Sequence, residues 1–98
     1  MSQTVYISIG NSDDKLTQNE WAHFVEDVRQ ALRNFALAQH GEWFSATDSP
    51  WQNAVWCAEV RDVMIADLRN RLAATAKAYR QDSIAWAVAD VDLVAAAS

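Results

Sequence analysis

The sequence predicts one α+β domain in which two amphipathic helices cover one face of a four-stranded antiparallel sheet. Two segments carry apolar residues at helical spacing, and shorter segments alternate between apolar and polar residues. Their order along the chain is strand, helix, strand, strand, helix, strand. Because 98 residues allow a single domain, we assign residues 1–93 to it and residues 94–98 to a loose C-terminal tail.

The first helix has the clearest pattern in the sequence. Thr17 and Glu20 have the spacing of a capping box, in which each side chain accepts a hydrogen bond from the backbone N–H of the other residue. Leu16 and Trp21 occupy the two positions of a hydrophobic staple. Apolar residues then recur at helical spacing, and we expect Gly41 to end the helix.

Alternation of apolar and polar residues predicts the strands. The four predicted strands are residues 4–9, 42–47, 52–60 and 84–88. A second apolar stripe predicts a helix over residues 62–80. This order is typical of the ferredoxin-like βαββαβ sandwich. A third helix over residues 84–97 is the alternative, because alanine favours helix, whereas Trp86 and the valines favour a strand.

Composition and charge narrow the class of protein. The chain has 13 acidic and 8 basic residues, a net charge of -5, which argues against binding to nucleic acid. It contains no run of about 18 apolar residues and no signal-peptide pattern, so we expect a cytoplasmic protein without a membrane partner. Cys57 has no second cysteine to pair with, and the two histidines are far apart in the sequence, so we expect no disulfide, cofactor or metal.

The expected topology brings three polar loops together at one end of the sheet, because the first and second strands run in the same direction on either side of the third. We name these residues the acidic loop end and propose them as a binding site: Asn11, Ser12, Asp13, Asp14, Asp48, Asp82 and Ser83. Oxygen atoms of this kind are ligands for Ca²⁺ or Mg²⁺. Their spacing matches no calcium-loop motif, so we favour an ordinary role as turn and capping residues over a cation site.

The face of the sheet that the helices leave uncovered is expected to be aromatic. In one register of the strands, this open face carries Tyr6, Trp43, Trp56 and Trp86. Monomers seldom expose such a patch, so we expect a protein partner or a homodimer there. In the opposite register the tryptophans belong to the core, since a shift of one residue moves every side chain of a strand to the other face.

Catalysis is the alternative to binding. The predicted architecture resembles cofactor-free oxygenases of the dimeric α+β barrel group, which hold a pocket between helices and sheet. We expect His23 to lie beside the buried stripe of the first helix, and His40 to lie at its end, where a cation favours the dipole. Cys57 is expected to face the core as a small apolar residue. We therefore assign no catalytic residue.

Residues 5–16 and 81–86 resemble stretches of small uncharacterised proteins from bacteriophages and their bacterial hosts. The resemblance implies a phage-type accessory protein in the host cytoplasm, and such proteins commonly bind and block a host protein. The main hypothesis is therefore a non-catalytic protein that binds a host protein or self-associates. The alternative is a small-molecule enzyme or ligand carrier of the dimeric α+β barrel type.

Overall fold

Four strands and two helices follow one another in the predicted order. The computed structural model describes residues 1–11 and 14–98. Its elements are β1 (Ser2–Gly10), α1 (Gln18–Phe35), β2 (Ala38–Phe44), β3 (Asn53–Arg61), α2 (Ile65–Ala78) and β4 (Ala85–Ala89). A short 3-10 turn at Asp62–Met64 leads into α2. Residues 90–98 lie outside helices and strands and are exposed.

The sheet has the strand order β2-β3-β1-β4, and every neighbouring pair is antiparallel. Both helices pack against the same face, where their apolar stripes join side chains of β1 and β3 in one core. The largest fully buried side chains are Trp56, Phe24, Ile7, Leu32, Leu68, Val5, Val28 and Val60. This arrangement confirms the predicted α+β class and its ferredoxin-like order of elements.

The start of α1 is built as predicted. The backbone N–H of Glu20 donates to Thr17 Oγ1 at 3.1 Å, and the backbone N–H of Thr17 donates to Glu20 Oε1 at 3.1 Å. Leu16 and Trp21 are both buried. The capping box and the staple therefore satisfy the first helical donors and also fix the angle at which the chain enters the helix.

The end of α1 differs from the prediction. The helix stops at Phe35, and the next residues already pair with β3, because the N–H of Leu37 donates to the carbonyl of Glu59 at 2.8 Å. Gly41 therefore lies inside β2, beside a register shift, and does not end a helix. A Cβ atom on residue 41 would lie 2.5 Å from Cη2 of Trp43, so glycine leaves the space that this indole occupies.

The registers of β3 and β4 against β1 place two tryptophans on the covered side of the sheet, which corrects the prediction for the open face. Trp56 lies opposite Ile7, is 1% exposed and belongs to the core. Trp86 lies opposite Ile7 on the other side of β1 and packs against the same core. Cys57 consequently points to the open face, although we expected it to face the core, and it lies opposite Tyr6.

The buried indole of Trp56 is hydrogen-bonded to a carboxylate of the neighbouring strand. Its Nε1–H donates to Glu42 Oε1 at 2.7 Å. Arg29 of α1 donates to both oxygens of the same carboxylate, with Nη2 at 3.1 Å from Oε2. The Arg29 guanidinium holds the pKa of Glu42 below its usual range. One carboxylate thus joins α1, β2 and the core tryptophan of β3.

A second contact joins the start of α1 to the end of α2. Arg80 follows the helix with φ 57, in the left-handed region where glycine is the usual residue. Its side chain donates to Glu20 Oε2 at 2.7 Å and to the carbonyl of Lys15 at 3.2 Å. These contacts explain an arginine at a position whose backbone favours glycine. The guanidinium also lowers the pKa of Glu20.

We expect the substitution Glu42→Ala to destabilise the protein by about 1–3 kcal/mol, because it leaves the buried indole N–H of Trp56 without its acceptor. The control Glu42→Gln keeps a carbonyl acceptor and loses only the partly exposed ion pair with Arg29, so its cost should stay below about 1 kcal/mol. Urea denaturation followed by tryptophan fluorescence measures both values. Equal losses in the two variants would contradict this account of the contact.

Stability should fall as the solution is acidified below about pH 4.5. The pKa of Glu20 is lowered in the folded protein, so its contribution is present above the ordinary value of 4.5 and is lost as pH falls through the folded value. Glu20→Gln keeps the capping pattern but removes the charge, and should therefore show a smaller drop in melting temperature between pH 7 and pH 3. Asp67→Asn, in the first turn of α2, is the control and should retain the full drop.

Candidate functional site

The three polar loops do meet at one end of the sheet, as the topology predicted. The loop after β1 bonds to the β2–β3 turn, since the N–H of Asn11 donates to the carbonyl of Gln52 at 2.9 Å. The segment before β4 bonds to the loop after β1, with Lys15 Nζ at 3.5 Å from the carbonyl of Arg80. The predicted location of a loop cluster is therefore correct.

Asn11 holds the first loop in place. Its side chain is buried, and its Nδ2 donates to the carbonyl of Leu16 at 3.0 Å and to Gln52 Oε1 at 3.1 Å. Its Oδ1 accepts from the N–H of Leu16 at 3.1 Å. The amide thus uses its donors and its acceptor inside the protein. Ser12 and Asp13, two further members of the acidic loop end, lie outside the described residues.

The other members of the acidic loop end are exposed, and they lie at three different places on the surface. Asp14 lies in a groove of about 420 Å³ between α1 and the β2–β3 turn. Asp82 and Ser83 lie in a second groove, and Asp48 is exposed in the β2–β3 turn. Within residues 1–11 and 14–98, no three His, Cys, Asp or Glu side chains come together as metal ligands.

The second groove, here called the α2–β4 groove, lies between α2 and the chain that leads into β4. It encloses about 650 Å³, and its charged lining residues are Arg69, Lys77, Arg80 and Asp82. The guanidinium carbon of Arg69 lies 5.4 Å from the centre of the Trp86 ring, which is a cation–π contact. Arg69 and Lys77 lie outside the apolar stripe of α2, and the sequence alone does not distinguish such positions from solvent-facing ones.

The open face of the sheet has an aromatic half on one side of β1 and an alanine half on the other side. Trp43 on β2 is 53% exposed and Tyr6 on β1 is 40% exposed. Cys57 lies between their strands, and hydrogen bonding to its thiol raises the pKa of Tyr6. On the other side of β1, Ala85 and Ala87 of β4 are exposed opposite Ser8 and Tyr6 and present only methyl groups.

One end of the open face carries a carboxylate that is already hydrogen-bonded. Glu59 accepts from the hydroxyls of Ser2 at 2.6 Å and Thr4 at 2.7 Å. His40 belongs to β2 and not to the end of a helix, and its Nε2 lies 3.3 Å from Glu59 Oε1. Hydrogen bonds from Ser2, Thr4 and His40 lower the pKa of Glu59, in that order of effect.

The space between the helices and the sheet is filled by side chains of the core. A dimeric α+β barrel enzyme would need a pocket in this space, yet Trp56, Phe24 and Leu68 lie there and are fully buried. The two grooves described above lie instead at the loop end and along the outer side of α2. His23 is exposed on α1. The filled interior therefore argues against a pocket of the barrel type.

Neither helix of the described chain is long and apolar enough to cross a membrane.

Comparison with known proteins relates the fold to solved structures, one of which matches over nearly its whole length. No family model and no curated protein matches the sequence. The crystal structure of a DUF3240 family protein from Shewanella baltica OS155 is similar over 99% of this chain and 97% of that chain, with a TM-score of 0.57 and 13% sequence identity. At this identity the similarity supports the α+β fold and carries no function to this chain.

Proposed function

We propose that this chain is a non-catalytic binding protein that acts through the open face of its sheet, with a second copy of the same chain as the partner. The observation that carries the proposal is the exposure of Trp43 and Tyr6, on strands either side of β3, on a sheet face that neither helix covers. Large aromatic side chains gain most from burial against another protein surface, which is why they are enriched at interfaces.

The shape of the open face favours a second copy as the partner. A two-fold symmetric interface uses the same patch on both molecules, so the patch must be complementary to itself. Here the aromatic half, with the large side chains of Trp43 and Tyr6, lies beside the alanine half, with the small side chains of Ala85 and Ala87. A two-fold rotation sets the aromatic half of each copy against the alanine half of the other.

The open face is small for a protein interface, which favours a weak and reversible association. Four strands about 4.8 Å apart and about 20 Å long give roughly 400 Å² before side-chain relief is included. Two copies would together bury about 1,000 Å², which is the lower limit for a specific interface. We therefore expect a reversible dimer with a dissociation constant on the order of 10–100 µM.

A host protein is the second partner that we propose for the same face, in a phage-type accessory role. The support for this role is the resemblance of residues 5–16 and 81–86 to small phage and bacterial proteins, together with the net charge of -5. An acidic surface favours approach to a basic partner. Because both partners would use the open face, binding to a host protein would compete with self-association.

The substitution Trp43→Glu should abolish the dimer, because it removes the largest apolar contact of the open face and would bury an unpaired charge against the alanine half of the other copy. Sedimentation equilibrium over protein concentrations from 5 µM to about 500 µM measures the association, and the wild type should show a rise in average mass that the variant lacks. Circular dichroism of the variant checks that the fold is intact.

Trp51→Glu is the matched control for this experiment. Trp51 is 51% exposed, close to the 53% of Trp43, but it lies in the β2–β3 turn and outside the open face. Its variant should dimerise as the wild type does. A wild type that remains monomeric at 500 µM, or a dimer that survives Trp43→Glu, would refute self-association through this face.

A further inference from the structure

The α2–β4 groove is cationic in a chain that is otherwise acidic. Arg69, Lys77 and Arg80 line it against the single carboxylate of Asp82. Arg80 is paired with Glu20 of α1 at 2.7 Å, so the other three groups leave a net charge of +1. The chain as a whole carries -5. Since a concave surface of one charge raises the local concentration of ions of the opposite charge, this groove favours anions although the protein as a whole repels them.

The floor of the groove is apolar. Leu72 and Ala76 of α2 are buried in it, and Ile84 and Trp86 are partly buried. Ala73 of α2 is exposed at the lining, and its methyl side chain leaves room between the helix and Trp86. The volume of about 650 Å³ lies within the range of small-molecule sites, which combine an apolar lining with a few charged groups.

The cations are arranged along the groove in two places. Lys77 lies in the last turn of α2, and Arg80 lies beyond the helix end, with its N–H 3.1 Å from the carbonyl of Lys77 and its guanidinium paired with Glu20. Arg69 is two turns before Lys77, about 12 Å along the helix axis, and contacts the Trp86 ring. The groove therefore offers a ligand positive charge at one end. At the other end it offers the aromatic surface of Trp86 and the cation of Arg69.

We propose that the α2–β4 groove binds a small organic anion, with a carboxylate or phosphate at the Lys77 end and a flat apolar body over Trp86. A charged oxygen group would accept charge-assisted hydrogen bonds from Lys77, which are stronger than those between neutral groups. The apolar body would cover the exposed part of the indole. This site lies on the helix side of the sheet, so the proposal is independent of self-association through the open face.

Three probes that share one ring system test the proposal. They are 2-naphthoate, its neutral amide 2-naphthamide, and 2-naphthyl phosphate. Calorimetric titration of the wild-type protein should give at least tenfold tighter binding of 2-naphthoate than of 2-naphthamide, because only the anion uses the cationic end. The ratio between the carboxylate and the phosphate distinguishes the two anionic groups. In NMR spectra, the indole N–H of Trp86 should shift on binding.

The variant Lys77→Gln removes one charge from the proposed contact. It should weaken binding of 2-naphthoate at least fivefold and leave binding of 2-naphthamide unchanged, a difference that a purely structural defect would not produce. Arg33→Gln is the control, since Arg33 is an exposed cation on α1 that does not line the groove, and its affinity for 2-naphthoate should equal that of the wild type.

Each other outcome overturns the proposal. Equal affinity for 2-naphthoate and 2-naphthamide would show that the cations take no part. An unchanged affinity in Lys77→Gln, or a shift at other tryptophans without one at Trp86, would place the ligand elsewhere. Absence of binding at millimolar concentrations of all three probes would refute the site itself. Because none of these measurements depends on the open face, their failure is distinguishable from failure of self-association.

Discussion

The burial of the Trp56 indole, with its N–H hydrogen-bonded to Glu42, is the interaction on which the rest of the sheet depends. An indole that is 1% exposed can lie only on the covered face, so it fixes the register of β3. The alternate residues Val55 and Cys57 then point to the open face. Because Glu42 also accepts from Arg29, the same contact attaches the edge strand β2 to α1.

Local patterns explain which parts of the fold could be predicted from the sequence. The capping box of Thr17 and Glu20 and the alternation in β1 depend on residues close together in the chain, and both are present in the structure. The facing of Trp56 could not be predicted in this way, since apolar residues occur on both sides of β3. On the covered face the indole packs in the core, and its N–H has an acceptor on Glu42, a residue of another strand.

The end of α1 shows the same limit. The segment from Ala36 to His40 is compatible with a helix by composition, and only the bond from Leu37 to Glu59 shows that it pairs with β3 instead. Tertiary pairing overrides local preference here.

The acidic loop end and the α2–β4 groove illustrate how much of a site the sequence contains. Topology correctly placed the loops after β1 and before β4 at one end, because strand direction alone determines that. Topology did not show that the side chain of Asn11 forms its hydrogen bonds within the protein. It also did not show that Arg69 and Lys77 line the α2–β4 groove. A polar residue outside the apolar stripe of a helix gives the same sequence pattern whether its side chain faces bulk solvent or lines a groove. The small residues Ala73 and Ala76 between those cations were the available clue.

The two outer edges of the sheet have a consequence for how copies of this chain can assemble. Exposed edge strands invite pairing with further chains and thereby growth into open-ended ribbons. The edge formed by β2 is interrupted by the register shift between Gln39 and Gly41, and the edge formed by β4 is only five residues long. Irregular and short edges are poor templates for continued hydrogen bonding. Contact between copies is thereby directed away from edge-to-edge polymerisation and toward assemblies that close.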